Sequence, residues 1–208
     1  LGDSVIDLNS GPVGVFQEVR ASNGIAYVSP NMSGFTVAAA VVPGEESGAN
    51  AADGLADHYS VGVMWKGAGF KFGAGYEVLE NQAGGADQAD PNVDMDTWQI
   101  GGSYAFGAFS VGAVYQDSSD AGFVDNRDYT AWALTGKATF GNNAVSLVYT
   151  DSEAEDGSTT VSDTTGWGIA GEHNFSKRTK VYAAYASGED DESDDEDDRF
   201  SLGIIHSF

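Results

Sequence analysis

Alternation between large apolar residues and small or polar residues is the feature of this sequence that most limits its fold. In the segment 70–78, for example, Phe72 and Tyr76 alternate with Lys71 and Glu77. Successive side chains of a β-strand point to opposite faces, so this pattern predicts a strand with one large apolar face and one small or polar face. Because the pattern recurs along most of the chain, we expect an all-β protein.

The alternation predicts about eleven strands, joined by links that are short and long in turn. The strands are expected near 24–30, 35–42, 58–66, 70–79, 97–106, 108–117, 129–140, 143–151, 165–175, 178–187 and 198–208. The long polar links are expected near 43–57, 80–96, 118–128, 152–164 and 188–197. Short turns at one end of a sheet and long loops at the other are typical of an antiparallel up-and-down β-barrel. We therefore expect residues 1–208 to form a single barrel domain.

Composition and the placement of aromatic residues favour a barrel that spans a membrane. No segment approaches the roughly 18 apolar residues of a spanning helix, whereas a tilted barrel strand needs only about 10 alternating residues. The 28 glycines also argue against helices, since a Gly in a helix interior costs about 1 kcal/mol relative to Ala. Aromatic residues are expected in two rings, as in the interfacial girdles of membrane barrels. We assign to the short-turn ring Phe70, Trp98, Phe106, Phe109, Phe140, Phe175 and Phe208, and to the other ring Tyr76, Tyr115, Tyr149 and Tyr185.

The chain is strongly acidic, with 32 acidic and 9 basic residues and a formal net charge of −23. Nucleic acid is therefore disfavoured as a partner, and cations or basic solutes are favoured. Because the chain has no cysteine, neither a disulfide framework nor a thiolate metal site is possible. His58, His173 and His206 are far apart in the sequence, and no catalytic motif accompanies them. We expect no enzymatic activity and no cofactor.

Three segments resemble the Gram-negative general diffusion porins, an outer-membrane family of proteobacteria. They are Asn23–Thr36, Asn174–Tyr185 and Arg199–Phe208. The resemblance covers the C-terminal two-thirds of such a porin. It implies a sixteen-stranded barrel in the outer membrane of a Gram-negative bacterium, with about five strands before Leu1 and any signal peptide upstream or removed. It also implies a homotrimer in contact with membrane lipid and lipopolysaccharide.

The same resemblance implies that 1–21 is a constriction loop folded into the pore and that 22–208 forms the barrel strands. An ordinary acidic surface loop at 1–21 is the alternative. Fixed carboxylates at a constriction favour cations, because low-dielectric walls weaken screening. By resemblance, the terminal Phe208 is the signal read by the outer-membrane assembly machinery. The residues expected at the narrowest point are Asp3, Asp7, Glu18 and Arg20.

Strand parity predicts which charged residues face the lumen. If Phe200 and Leu202 contact lipid, their neighbours Arg199 and Ser201 face the pore. A charge that faces lipid costs about 2–4 kcal/mol at the bilayer midplane, so charged strand residues are expected on the inner face. The charged residues assigned to the lumen are Lys66, Lys71, Glu77, Lys137, Glu172, Lys180 and Arg199. They either solvate the pore or contribute to its selectivity.

The segment 188–198 consists almost entirely of Asp and Glu. Such a segment is too charged to pack, so we expect a solvated extracellular loop. Acidic loops of this kind suit Ca²⁺ or Mg²⁺, which prefer carboxylate oxygens. The segment lacks the ligand spacing of a Ca²⁺-binding loop, however, and we assign no metal site.

Together these features predict a water-filled outer-membrane channel for passive diffusion of small polar solutes and ions, with a preference for cations. A substrate-selective channel for a sugar or a basic solute is one alternative, with Tyr129 and Tyr182 as lumenal aromatic candidates. A soluble acidic β protein is another. A barrel enzyme built on His58 and Ser60 is less favoured, since the two residues have no obvious catalytic partner.

Overall fold

A computed structural model describes four parts of the chain, residues 6–16, 23–43, 57–80 and 93–207. These residues form β-strands, the links between them and two single turns of 3-10 helix, at Gly11–Val13 and Ala121–Phe123. None of the helical turns in these parts has the length or apolar character needed to span a bilayer.

The described residues form eleven strands, as the alternation predicted. They are β1 (Ile25–Val28), β2 (Phe35–Val42), β3 (His58–Gly67), β4 (Phe70–Leu79), β5 (Met95–Phe106), β6 (Phe109–Ser119), β7 (Arg127–Phe140), β8 (Asn143–Asp156), β9 (Thr159–Asn174), β10 (Thr179–Asp190) and β11 (Asp195–His206). All lie in one antiparallel sheet, in which each strand pairs with the next in sequence. The expected all-β, up-and-down architecture is therefore confirmed. Within the described residues the sheet is open, with β1 and β11 at its edges.

The two faces of the sheet differ in side-chain size and exposure. On the outer face, Leu147 and Leu202 leave 54% and 74% of their surface exposed. On the inner face, Ala133 and Ala170 are buried. Soluble proteins rarely expose a large apolar face over a whole sheet, whereas the lipid-facing side of a membrane barrel requires one. We therefore treat the outer face as the lipid side and the inner face as the lumen.

Aromatic side chains of the outer face form two rings. The upper ring, on the side of the expected long links, has one residue on each of β4–β10 and consists of Tyr76, Trp98, Tyr115, Trp132, Tyr149, Trp167 and Tyr185. The lower ring, beside the short turns, includes a stacked pair of Phe70 and Tyr104 with centroids 4.1 Å apart. The assignment of Trp98 to the short-turn ring is wrong, because β5 runs downward from Met95 and Trp98 lies near its upper end. Its ring centroid lies 5.2 Å from that of Tyr115.

Hairpins with tight turns replace two of the five long links expected from the sequence, those near 152–164 and 188–197, whereas the link expected near 118–128 is present and spans 120–126. The strands continue past the upper ring, and the β8–β9 hairpin turns at Gly157, whose φ of 63° suits glycine. Alternating Thr, Ser and Val side chains favour strand there, and pairing satisfies the backbone groups. The other two expected links, near 43–57 and 80–96, lie mostly outside the described residues.

The acidic segment 188–198 is part of the β10–β11 hairpin, so the expectation of a loop is wrong, although most of the segment is exposed to solvent as expected. Asp190 at the end of β10 pairs with Asp195 at the start of β11. The Asp190 carboxylate accepts hydrogen bonds from Ser162 Oγ at 2.7 Å and Thr164 Oγ1 at 3.1 Å. Two backbone N–H groups of the turn also donate to it. These bonds offset the repulsion between like charges that stand opposite each other.

Candidate functional site

The segment 6–16 lies on the inner face of the sheet. It turns back on itself through a hydrogen bond from Phe16 N to Leu8 O at 3.0 Å. Pro12 stands in its 3-10 turn, where the fixed φ of proline suits the first helical positions. Val13 is fully buried and packs against β8 and β10, and Phe16 is also buried. Each buried apolar side chain contributes about 1.5–3 kcal/mol, so apolar contacts hold the segment on the wall.

Two glycines form the surface on which this segment rests, and we call them the glycine seat. Gly166 on β9 and Gly188 on β10 are direct cross-strand partners. A Cβ at either position would overlap with the carbonyl oxygen of Pro12. Further along β9, a Cβ at Gly168 would lie 2.6 Å from Cγ2 of Ile6. Only residues without a side chain allow the segment to approach the wall this closely.

The C-terminal part of the segment is attached to β7. The hydroxyl of Tyr129 donates a hydrogen bond of 2.5 Å to the carbonyl oxygen of Val15. Val15 and Phe16 also pack against Ala131 and Ala133, which are small residues on the inner face of β7. The segment is therefore held on β7 through a hydrogen bond and apolar contacts, and on β9 and β10 through the glycine seat.

Beside the segment, the inner face of β2–β6 borders a concave space of about 810 Å³. Two cross-strand hydrogen bonds order its polar wall, between the hydroxyls of Thr97 and Ser118 at 2.8 Å and from Gln99 Nε2 to Gln116 Oε1 at 3.2 Å. The polar residues that line this space are Ser60, Lys71, Glu77, Thr97, Gln99, Ser103, Gln116 and Thr135. A polar wall of this kind suits a water-filled passage.

Of the four residues expected at the constriction, only Asp7 lies within the described residues. Asp3, Glu18 and Arg20 lie outside them. Asp7 is partly exposed, and its Oδ1 accepts a hydrogen bond from Asn9 N at 3.0 Å. The constriction role of these four residues stays a prediction.

Five charged residues form what we call the lower belt, on the inner face between the upper ring and the short turns. Glu172 is buried, and it joins Lys137 Nζ at 3.1 Å and Lys180 Nζ at 2.7 Å. Lys66 and Lys71 stand opposite each other on β3 and β4, and both are exposed. The structure therefore places these lumenal candidates on one face, in the lower half of the barrel wall.

The remaining two lumenal candidates lie higher. Glu77 borders the open space at the level of Tyr76 in the upper ring. Arg199 pairs with Asp197, with Nη2 2.7 Å from Oδ2. The guanidinium of Arg199 also lies near Gly11 in the segment 6–16, where an added Cβ would be 3.4 Å from Nη1. Arg199 thus connects β11 to the segment.

Carboxylates above the upper ring have pKa values set by their neighbours. The hydrogen bond from Arg127, with Nε 2.6 Å from Oδ1, lowers the pKa of Asp156. The hydrogen bond from Ser162 lowers the pKa of Asp190. Partial burial and then neighbouring carboxylates raise the pKa of Asp163. In the parts of the chain that the structure describes, no three His, Asp or Glu side chains are arranged to hold a metal ion.

The two lumenal tyrosines are engaged with the barrel itself. Tyr129 is bonded to Val15, and the ring of Tyr182 covers Gly203, where a Cβ would lie 2.5 Å from the ring. Neither ring is arranged as part of an open stacking surface. This geometry gives no support to an aromatic slide for sugars.

Sequence reasoning missed the glycine seat and its contact with Pro12 and Val13. The available signal is the inner face of β9, where Gly166, Gly168 and Ala170 succeed one another at every second position. Small residues at successive positions of one face predict that another segment approaches closely. The pattern does not indicate which segment that is.

Comparison with known proteins agrees with this geometry. A family model described as Gram-negative porin matches residues 2–193. The anion-selective porin from Comamonas acidovorans has a similar structure, with a TM-score of 0.77 and 20% identity, over 90% of this chain and 60% of that chain. The outer membrane channel DcaP of Acinetobacter baumannii has a TM-score of 0.71 and 14% identity, over 89% of this chain and 62% of that one. No curated protein sequence matches the chain.

A third similar structure is Salmonella typhi OmpF in complex with daunomycin, with a TM-score of 0.67 and 13% identity, over 89% of this chain and 62% of that chain. The chain thus spans about 60% of the length of these solved porins and channels. Identities this low show a shared fold, whereas the family match covers nearly the whole chain. The chain belongs to the Gram-negative porin family, and the eleven strands of its described residues are part of an outer-membrane β-barrel.

Proposed function

We propose that the complete protein forms a water-filled channel for the passive diffusion of small polar solutes and ions. The observation that supports this proposal is that one part of the inner face is covered and the other part is open. The segment 6–16 covers the wall at β7–β11, while β2–β6 border an open, polar space of about 810 Å³. A segment that covers only part of the wall narrows a passage without closing it. Family membership also indicates a channel protein rather than an enzyme.

The channel prefers cations in this proposal, because carboxylates crowd one end of the barrel. Beyond the upper ring, the ends of β7–β11 and their turns carry fifteen carboxylates and two arginines. A mouth lined by one sign of charge concentrates counter-ions and speeds their entry. The Comamonas porin is anion-selective, but at 20% identity it is similar in fold alone and does not predict the sign here.

The test is the reversal potential of the full-length protein in a planar lipid bilayer under a tenfold KCl gradient. A reversal potential towards the K⁺ limit of about 59 mV is expected. Asp7→Asn should reduce it. Asp117→Asn removes the same charge from the outer face, next to Tyr115, and should leave it unchanged. Absence of conductance would contradict the channel, and a reversal potential towards Cl⁻ would contradict the cation preference alone.

We further propose that the protein assembles as a homotrimer among lipid and lipopolysaccharide and that Phe208 serves the assembly machinery. Phe208 lies outside the described residues. The proposal is supported by the preceding alternate residues of β11, which are apolar and face outward: Phe200, Leu202 and Ile204. Deletion of Phe208 should lower the amount of protein in the outer membrane, whereas Ser207→Ala should not. Unheated gel electrophoresis in mild detergent should show a trimer, and a monomer band alone would contradict this assembly.

A further inference from the structure

Positive charge is concentrated in the lower half of the lumen. The lower belt contains four lysines and one glutamate. Glu172 lies between Lys137 and Lys180 and offsets only one of the two charges. Lys66 and Lys71, opposite each other, form no ion pair with any residue that the structure describes. Like charges in such a pair repel, so mobile anions from solution must screen them.

Negative charge is concentrated beyond the upper ring. Both arginines among the upper ends of β7–β11 are paired with an aspartate, Arg127 with Asp156 at 2.6 Å and Arg199 with Asp197 at 2.7 Å. The other carboxylates there have no cationic partner among the described residues. Mobile cations must therefore gather at this end, which we call the mouth. About half of these carboxylates lie on the outer face by strand parity, but Asp190 and Asp195 lie on the inner face, so the inner face of the sheet reverses its sign of charge from the lower belt to the mouth.

We infer that the channel rectifies ion current, and this inference rests on the proposed diffusion function. When the mouth is positive, cations from the mouth and anions from the lower belt both move towards the boundary between them. The lumen is then enriched in ions, and its conductance rises. When the mouth is negative, both kinds of ion move away from the boundary, and the lumen is depleted. More current therefore flows with the mouth positive.

The effect depends on salt because the two charged regions are separated by a known stretch of strand. Residues 131–137 on β7 connect the mouth to the lower belt, which is about 20 Å along the strand at about 3.3 Å per residue. The Debye length is about 30 Å at 0.01 M salt and about 3 Å at 1 M. The wall charges therefore act on ions across the whole lumen at low salt, whereas at 1 M each charge is screened within about 3 Å and the asymmetry is lost.

The experiment measures current at +100 and −100 mV in symmetric KCl, with the full-length protein in a planar bilayer. Orientation is assigned with Ser193→Cys in the β10–β11 turn, modified from one side by an impermeant thiol reagent. The chain has no other cysteine. We expect the current with the mouth positive to be larger by at least about 1.5-fold at 0.01 M KCl, and by less than about 1.1-fold at 1 M.

Two double variants test the lower belt. Lys66→Glu with Lys71→Glu changes the net charge of the lower belt from +3 (four Lys, one Glu) to −1 (two Lys, three Glu) and should bring the current ratio close to one at 0.01 M KCl. Lys66→Arg with Lys71→Arg keeps the charge and should keep the ratio. Equal currents in the unmodified channel at low salt, or a ratio that survives charge reversal, would overturn the inference and leave the diffusion channel intact. A complete lack of conductance would overturn the proposed function and the inference with it.

Discussion

Replacing Gly188 with alanine should displace the segment 6–16 from the barrel wall. The position is the most constrained part of the glycine seat, since an added Cβ would overlap with both atoms of the Pro12 carbonyl group and lie only 3.1 Å from Pro12 Cα. Strand β10 cannot relieve the overlap by shifting towards β9, because its cross-strand partner there, Gly166, belongs to the same glycine seat. The segment 6–16 then either stays on the wall under strain or leaves the wall.

The expected size of the effect follows from the cost of overpacking. An extra methyl group in a well-packed site costs about 1–3 kcal/mol, which corresponds to about a 5- to 150-fold change in the ratio of seated to displaced segment. Val13 reports this ratio, because it is fully buried while the segment is seated. A cysteine at this position reacts with a thiol reagent only in the displaced state, when displacement is fast relative to labelling.

The assay compares the labelling rate of Val13→Cys alone with the rate in combination with Gly188→Ala. A rise of about 5- to 150-fold is expected, together with an altered single-channel conductance. Gly136→Ala is the matched control, because a Cβ at that position of β7 meets nothing within 4 Å. Equal labelling rates in the Gly188→Ala and Gly136→Ala proteins would refute the role of the glycine seat.

Three further perturbations test the faces, the lower belt and the mouth. Leu147→Arg should lower the free energy of unfolding from lipid vesicles by about 2–4 kcal/mol more than Ser146→Arg does, since only Leu147 faces lipid. Equal losses in the two variants would contradict the assignment of the faces. Glu172→Gln removes the charged acceptor of two lysines and should lower the free energy of unfolding by about 1–3 kcal/mol in the same assay. An unchanged unfolding midpoint would show that these two ion pairs do not stabilise the barrel. On acidification, Asp163 has a raised pKa and takes up its proton before Asp190, so the upper hairpins should first gain resistance to protease. Further acidification through the lowered pKa of Asp190 protonates it and weakens its bonds, so resistance should then fall, whereas a steady loss from neutral pH would contradict this order.

Period-two alternation predicted the membrane part of the fold well because it is a local signal. The expected strand 70–79 coincides with β4, Phe70–Leu79, where each outward residue contacts lipid and each inward residue faces the lumen. The demand of lipid for apolar side chains imposes the pattern residue by residue. The same demand accounts for the inward direction of Lys71 and Lys137, which parity also predicted.

Above the upper ring the alternation disappears, because both faces of each strand contact water or another part of the protein. The strand expected at 165–175 therefore begins six residues earlier, at Thr159. The glycine seat depends on a contact between residues far apart in sequence, Pro12 and Gly188, which no local pattern reports. The error over Trp98 has a different origin: the expected link 80–96 and strand 97–106 already placed this residue beside a long link, so the assignment to the short-turn ring conflicted with the expected strand bounds themselves.

The upper hairpins and the segment 6–16 stabilise each other. Thr150 is fully buried where β8 rises past the upper ring, and the glycine seat holds Pro12 and Val13 beside it. Without the segment, the buried inner-face side chains of these hairpins would be exposed to water, although the hairpins would stay paired with each other as strands of one sheet. Like charges face each other at the tip of the β10–β11 hairpin and reduce its stability further. Displacement of the segment by Gly188→Ala should therefore loosen the acidic mouth as well, and the two changes should appear together in protease sensitivity.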